Sequence, residues 1–466
     1  MQEDHKRKEE RELIRKFEAY IKDIENHYFE EESFLDIISY YYEREKYSKA
    51  LKACDLALKQ YPFSTDLIAE KAEMLTKLNR PLEAISIIDE ALRYSPNDPD
   101  LMIQKGTLFT LLSDYQSAIK CYESVIDFVE EKDELLYSIG LAYQGMGNYN
   151  DAISSYKEAM AFNVNNENVL YELAYCLDIN GELESSVEYY QKFIDQDPYS
   201  EYAWYNIGIV YNKLGKFEKA IDAYEFAVAI EDGFSSAHFN MGNAYMSLEQ
   251  FPKALDAYQK TFEIEGASAE TFCHMGAAYE KLQQFDIGIK YYQKAAKIDN
   301  LYHEAWFGVG VCLSLLERWH EAAHFFHKAV KLEYNATYIK ALAEAEYQTG
   351  NIVSALDAYI EASGVDAEDE DIWLDWSFIY HEQGDNENAI NVIQTGLDEM
   401  PDNANLLYRS VVYQISSGKY KAAFNTLELA LNVDFDAHVQ LFDFFPNINT
   451  QKALFKIVAQ YKKKTQ

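Results

Sequence analysis

The stretch EYAWYNIGIVYNKLGKFEKAIDAYEFAVAIEDGF, Glu201 to Phe234, decides the fold. Trp204, Ile207 and Tyr211 fall at i, i+3 and i+7, which is one face of a helix, and Gly208 lies beside them. Gly215 then interrupts, and a second apolar run carries Ala220, Tyr224 and Ala227. A glycine takes a left-handed helix end cheaply, so the stretch predicts two helices joined by a short turn. Ala220 also belongs to a series of small residues: Ala50, Ala84, Ala118, Ala152, Ser186, Ala220, Ala254, Gly288, Ala322, Ala355, Ala389 and Ala423. The first nine are spaced by 34, one step is 33, and the last two are 34 again. A period this regular predicts a repeat array.

Every period is filled in the same order. Four residues past the small residue comes a large one, as at Tyr122, Tyr156, Tyr190, Tyr224, Tyr258, Tyr292, Phe326 and Tyr359. Twelve residues before it comes a second small residue, as at Gly106, Gly140, Gly208, Gly242, Gly276 and Gly310. A helix hairpin packs tightly only where its crossing point carries little side chain, and the aromatic fills the adjacent groove. One hairpin cannot bury both its faces, so the copies must stack. Pro62, Pro96, Pro198 and Pro401 mark the other junction, where proline stops the second helix.

These residues resemble the tetratricopeptide repeat family, whose pattern is W-x2-L-G-x2-Y followed by A-x3-F and then A and P. Trp204, Ile207, Gly208, Tyr211, Ala220, Tyr224 and Ala227 match it, as do Trp306, Val309, Gly310, Leu313, Ala322, Phe326 and Ala329. The resemblance implies an all-α fold, a right-handed α-solenoid superhelix of stacked helix-turn-helix repeats. Twelve copies are expected over residues 31–437, starting near Glu31, Thr65, Pro99, Asp133, Glu167, Glu201, Ser235, Ala269, His303, Ala336, Glu370 and Ala404. Residues 1–30 are expected to form an amphipathic capping helix on Leu13, Phe17, Tyr20, Ile21, Ile24 and Tyr28. Residues 438–466 predict a degenerate repeat at Leu441, Phe444 and Phe445, then a capping helix on Leu454, Ile457, Val458 and Tyr461.

Composition narrows the setting. The 466 residues exceed the usual single-core size, but a solenoid grows by adding units. With 42 Lys and Arg against 78 Asp and Glu, the formal charge is −36, which repels phosphate backbones and anionic lipid heads. Nucleic acid is excluded as the expected partner, and a neutral to basic protein or peptide is favoured. Part of the acidity has a structural cause, because acids such as Asp66, Asp100, Glu134 and Glu201 occupy the first turn of a first helix, where they complement the helix dipole. No stretch approaches the roughly 20 apolar residues of a membrane span, and the start has no signal-peptide core, so a cytoplasmic protein is expected. Cys54, Cys121, Cys176, Cys273 and Cys312 lie far apart with no CxxC, which reads as buried thiols.

One catalytic motif appears. His320-Glu321-Ala322-Ala323-His324 reads HExxH, in which two histidines a helical turn apart bind zinc and the glutamate is a general base. Ala322 is itself a member of the small-residue series, so an ordinary second helix accounts for the segment, and His327 does not continue the longer metzincin pattern. No catalytic residue, metal or cofactor is expected.

Function is therefore sought on the surface that the stack creates. The resemblance implies that first helices line the concave side and that residues one, four, five and eight places beyond each repeat start face inward. In the middle copies these include Tyr137, then Tyr171 and Tyr175, then Tyr205, Asn206 and Ile209, then Phe239, Asn240 and Asn243, then His274, then Phe307. Aromatic faces can take apolar side chains, and an amide can both donate to and accept from a peptide backbone. The same rings could equally pack between neighbouring hairpins. The lysine, arginine and asparagine positions with which some family members hold a C-terminal carboxylate are occupied here mainly by aromatics, asparagines and acids. The expected function is a non-enzymatic interaction scaffold binding an extended peptide segment in the groove. The alternatives are an architectural or self-associating repeat protein and, third, a metal-dependent hydrolase through residues 320–324.

Overall fold

The computed structural model describes residues 2–21, 28–441, 456 and 458. Among these, the regular elements are helical and no strand occurs. Twelve antiparallel helix pairs follow one another, from Glu31–Tyr42 with Tyr47–Gln60 to Ala404–Ser416 with Tyr420–Val433. The first helices start on side-chain caps in most pairs. Ser64, Asp98, Asn166, Ser200, Ser268, Asn335, Asp369 and Asn403 each accept a backbone N–H two or three residues on. Such a cap satisfies one of the donors that a helix leaves free at its start.

The turn inside each pair has one backbone requirement. In every pair a residue there takes a left-handed conformation: Gly147, Gly181, Gly215, Gly350, Gly384 and Gly418 at φ 69 to 83°, and Glu45, Asn79, Ser113, Glu249, Gln283 and Glu317 at φ 54 to 61°. Half of the copies thus meet it with glycine, and half accept the Cβ strain. The small-to-large pairing is equally direct. A Cβ placed on Gly208 would lie 2.5 Å from the ring of Tyr224, and one on Gly242 would lie 2.4 Å from Tyr258. The aromatic of the second helix lies directly against the bare backbone of the first.

The chain forms two compact units, Met1–Glu231 and Asp232–Gln466. In the first, the helix Gln2–Ile21 buries Ile14 and Phe17, and Phe17 meets Phe29 and Phe34 edge to face. Further along, Tyr156, Leu173, Phe193 and Ile207 are buried between successive pairs. In the second unit, Tyr258, Tyr292, Val309 and Phe326 fill one part of the core, and Tyr408, Tyr413, Val411 and Leu427 another. All five cysteines are buried and free. Ile24, Phe444, Phe445, Leu454, Ile457 and Tyr461 lie outside the described residues.

The second helices of pairs two and three, Pro81–Ala91 and Tyr115–Glu123, have 11 and 9 residues, where Phe217–Ile230 in pair six has 14. After Glu123 the chain passes through turns before the next helix, Lys132–Gly145.

Candidate functional site

Four of the six predicted inward positions of the first unit gather around one cleft. Tyr171 and Tyr175 come from Glu167–Ile179, the first helix of pair five, and Asn206 and Ile209 from Glu201–Lys213, the first helix of pair six. Together with Leu183 and Tyr190 they line a cleft of about 140 Å³. Tyr171 is 56% exposed and Tyr175 45% exposed, so their rings stand open at its mouth. Tyr190 is buried beneath them, and burial pushes its hydroxyl pKa up, so it stays neutral. Asp178 and Lys213 pair at the rim. The cleft offers apolar and aromatic walls, one amide and one ion pair, which suits a side chain with flanking peptide backbone.

Two further residues of the first unit sit apart from the cleft. Tyr137 tilts over Tyr156 with ring centroids 6.1 Å apart, and Tyr205 tilts over Tyr224 at 5.9 Å. Beside them Gln144 bridges neighbouring pairs, donating to Glu172 at 2.8 Å and accepting from the Tyr156 hydroxyl at 2.8 Å and the Cys176 thiol at 3.3 Å.

The second unit uses the same register differently. Phe239 meets His274 edge to face at 4.9 Å and tilts against Tyr258 at 5.6 Å. The Tyr258 hydroxyl donates to Asn243 Oδ1 at 2.8 Å and lies 3.5 Å from His274 Nδ1. Burial lowers the His274 pKa, which favours the neutral ring in this apolar company. Phe307 stacks on Tyr338 at 4.3 Å, and the Tyr338 hydroxyl is 2.9 Å from His303 Nδ1. Asn240 is half-buried and partnered. Here the aromatics are spent largely on one another.

Tetratricopeptide repeat models match residues 137–201, 201–234, 235–266 and 269–300. Tandem tetratricopeptide repeats therefore run through residues 137–300. No curated protein matches it in sequence. Among solved structures it is similar to YrrB, a TPR protein with an unusual peptide-binding site, at 20% identity and TM-score 0.33 over 39% of this chain and 94% of that one. It is similar to the APC/C hetero-tetramer Cut9-Hcn1 at 13% identity and TM-score 0.39, over 85% of this chain and 96% of that one. The MamA protein is a third, at 27% identity and TM-score 0.34 over 37% and 94%.

The HExxH segment lies on Trp319–Leu332, the second helix of pair nine. Ala322 is fully buried, whereas His320, His324 and His327 are exposed. Glu321 is held by the Arg318 guanidinium in two hydrogen bonds of 2.8 and 2.7 Å, which depress its carboxyl pKa. Among the described residues, no group of three or more His, Cys, Asp or Glu side chains is placed to hold a metal ion. The segment is an ordinary repeat helix. Among the described residues, no helix is long and apolar enough to cross a membrane.

Leu183, Asp178 and Lys213 complete the cleft but were not singled out by the inward register. Asp178 and Lys213 are 35 residues apart, one period plus one, and that spacing of opposite charges is the signal that points to them.

Proposed function

We propose that this tetratricopeptide-repeat protein is a non-enzymatic scaffold that holds an extended segment of a partner protein along the first helices of pairs five and six. The open cleft between Tyr171, Tyr175, Asn206 and Ile209 carries this reading. It takes an apolar side chain of the partner between the two tyrosine rings, while Asn206 bonds the backbone beside it. The chain's −36 charge favours a neutral to basic segment. Tyr137 and Tyr205 support the surface by packing over Tyr156 and Tyr224, whereas Phe239, Asn243, His274 and Phe307 belong to the second unit and pack among their own neighbours there.

The test is affinity capture from native lysate with the full chain and with Tyr171→Ala/Tyr175→Ala, quantified by mass spectrometry. Both side chains are about half exposed, so the variant should keep most of its thermal stability. Partner recovery is expected to fall about tenfold, as for loss of an aromatic anchor. Unchanged recovery with an unchanged melt removes the cleft from the function.

A further inference from the structure

A second docking surface lies nearer the start of the chain, where the short second helix of pair three ends. After Glu123 the turn carries Phe128 and Val129 to the mouth of a cleft of about 470 Å³ between the first helices of pairs three and four, Pro99–Leu111 and Lys132–Gly145. Ile103 and Leu135 complete its apolar floor. Phe128 is 66% exposed. Its equivalents one period away, Tyr94 and Phe162, are 68% and 57% exposed, so three successive repeats present an aromatic at this one position. Later repeats place Gln196, Ile230, Ile264, Ile298, Leu332 and Val365 there.

The rim is acidic. Asp100, Glu130, Glu131 and Glu134 line the cleft and no lysine or arginine does. Nearby acids are matched: Asp55 pairs with Lys71 at 2.8 Å, Asp89 with Lys105 at 2.6 Å and Asp127 with Lys132 at 3.5 Å. The four rim carboxylates have no such partner among the described residues. Asp100 and Glu134 each sit in the first turn of a helix, where the dipole accounts for them, but Glu130 and Glu131 precede their helix. A cleft with an apolar floor and an unmatched anionic rim is complementary to one class of ligand.

We propose that this cleft docks a basic segment of a partner protein, with a leucine-sized or aromatic anchor against Phe128 and Ile103 and flanking arginines or lysines on the four rim carboxylates. The site is separate from the Tyr171 cleft and stands without it. Arginine suits the rim because its planar donors can engage two carboxylates together.

The experiment uses the full chain and a fluorescein-labelled 12-residue peptide of leucine, alanine and arginine with leucines at helical spacing. Binding is read by fluorescence anisotropy. The expected result is saturable binding that weakens about tenfold in Phe128→Ala and about tenfold in E130Q/E131Q/E134Q. Binding should fall further with added salt. Removing three unrelated exposed charges in E399Q/D402N/E428Q is expected to leave affinity unchanged, as is Tyr171→Ala/Tyr175→Ala. The same peptide with glutamate in place of arginine should not bind. Equal weakening in the two charge-removal variants would mean non-specific attraction to an acidic chain and would overturn the proposal. So would an absence of binding, or binding indifferent to Phe128. All these substitutions lie on exposed positions, and an unchanged circular-dichroism melt verifies folding.

Discussion

The inward faces of pairs five and six and of pairs seven and eight share one register and end in different states. In both, an aromatic stands four places beyond a repeat start: Tyr171 in one and Phe239 in the other. What differs is the residue five places beyond the next start. Asn206 is short and leaves Tyr171 exposed beside a cleft, whereas His274 is a ring and closes on Phe239 edge to face at 4.9 Å. The period decides which side chains share a face. The size of one neighbour decides whether that face stays open.

The largest expected effect tests what the two faces have in common. Both rest on a glycine under a tyrosine, so Gly208→Leu and Gly242→Leu should each cost about 3 kcal/mol, the upper part of the overpacking range, in denaturant melts. Hydrogen exchange should show the loss concentrated in the affected pair and its neighbours, because stacked repeats are coupled mainly to the next repeat. Uniform loss over all pairs would break that picture.

A smaller effect separates the faces. The Tyr258 hydroxyl is bonded to Asn243, whereas the Tyr224 hydroxyl is buried with no partner among the described residues. Tyr258→Phe should therefore cost about 1 kcal/mol, while Tyr224→Phe should be near neutral. Equal costs would mean that the hydroxyls do not distinguish the two faces.

The helix turns contribute less. Gly215 serves pair six, but Glu249, Gln283 and Glu317 take the same left-handed turn in pairs seven to nine. Glu249→Gly should gain about 0.5–1 kcal/mol, the relief of Cβ strain less the entropy that glycine loses. Gly215→Glu should lose a similar amount.

A pH effect sharpens the role of the position that Asn206 and His274 occupy. In pair eleven it holds Asp375, whose carboxyl is pushed up to about 6 by desolvation and then by Asp371 and Glu344, against the opposing pull of Lys340 and Arg409. A raised folded pKa means that the native state binds the proton more tightly than the unfolded chain does. Asp375 therefore adds nothing adverse at pH 3, and its ionisation erodes stability as pH rises from about 4 to about 6. Asp375→Asn should raise the melting temperature at pH 7.5 and leave it unchanged at pH 3.

Much of the fold is legible in the sequence because every repeat satisfies the same steric demands. Gly208 and Tyr224 announce a close approach, and Gly215 announces a left-handed turn. Glu45, Asn79, Ser113, Glu249, Gln283 and Glu317 adopt that turn without a residue type that reveals it; only their register does. The site is less legible. Register places Tyr171, Asn206, Phe239 and His274 on inward faces but carries no information on which rings find partners. The Phe128 surface depends on a second helix that stops at Glu123, and no glycine or proline at that point signals the stop.

The most direct test of neighbour size exchanges the two deciding residues. Asn206→His should fill the Tyr171 cleft without removing either tyrosine, and partner recovery in affinity capture should fall about tenfold. His274→Asn should leave recovery unchanged. Full recovery with Asn206→His, or a loss with His274→Asn alone, would contradict the claim that a small residue at this position keeps the binding face open.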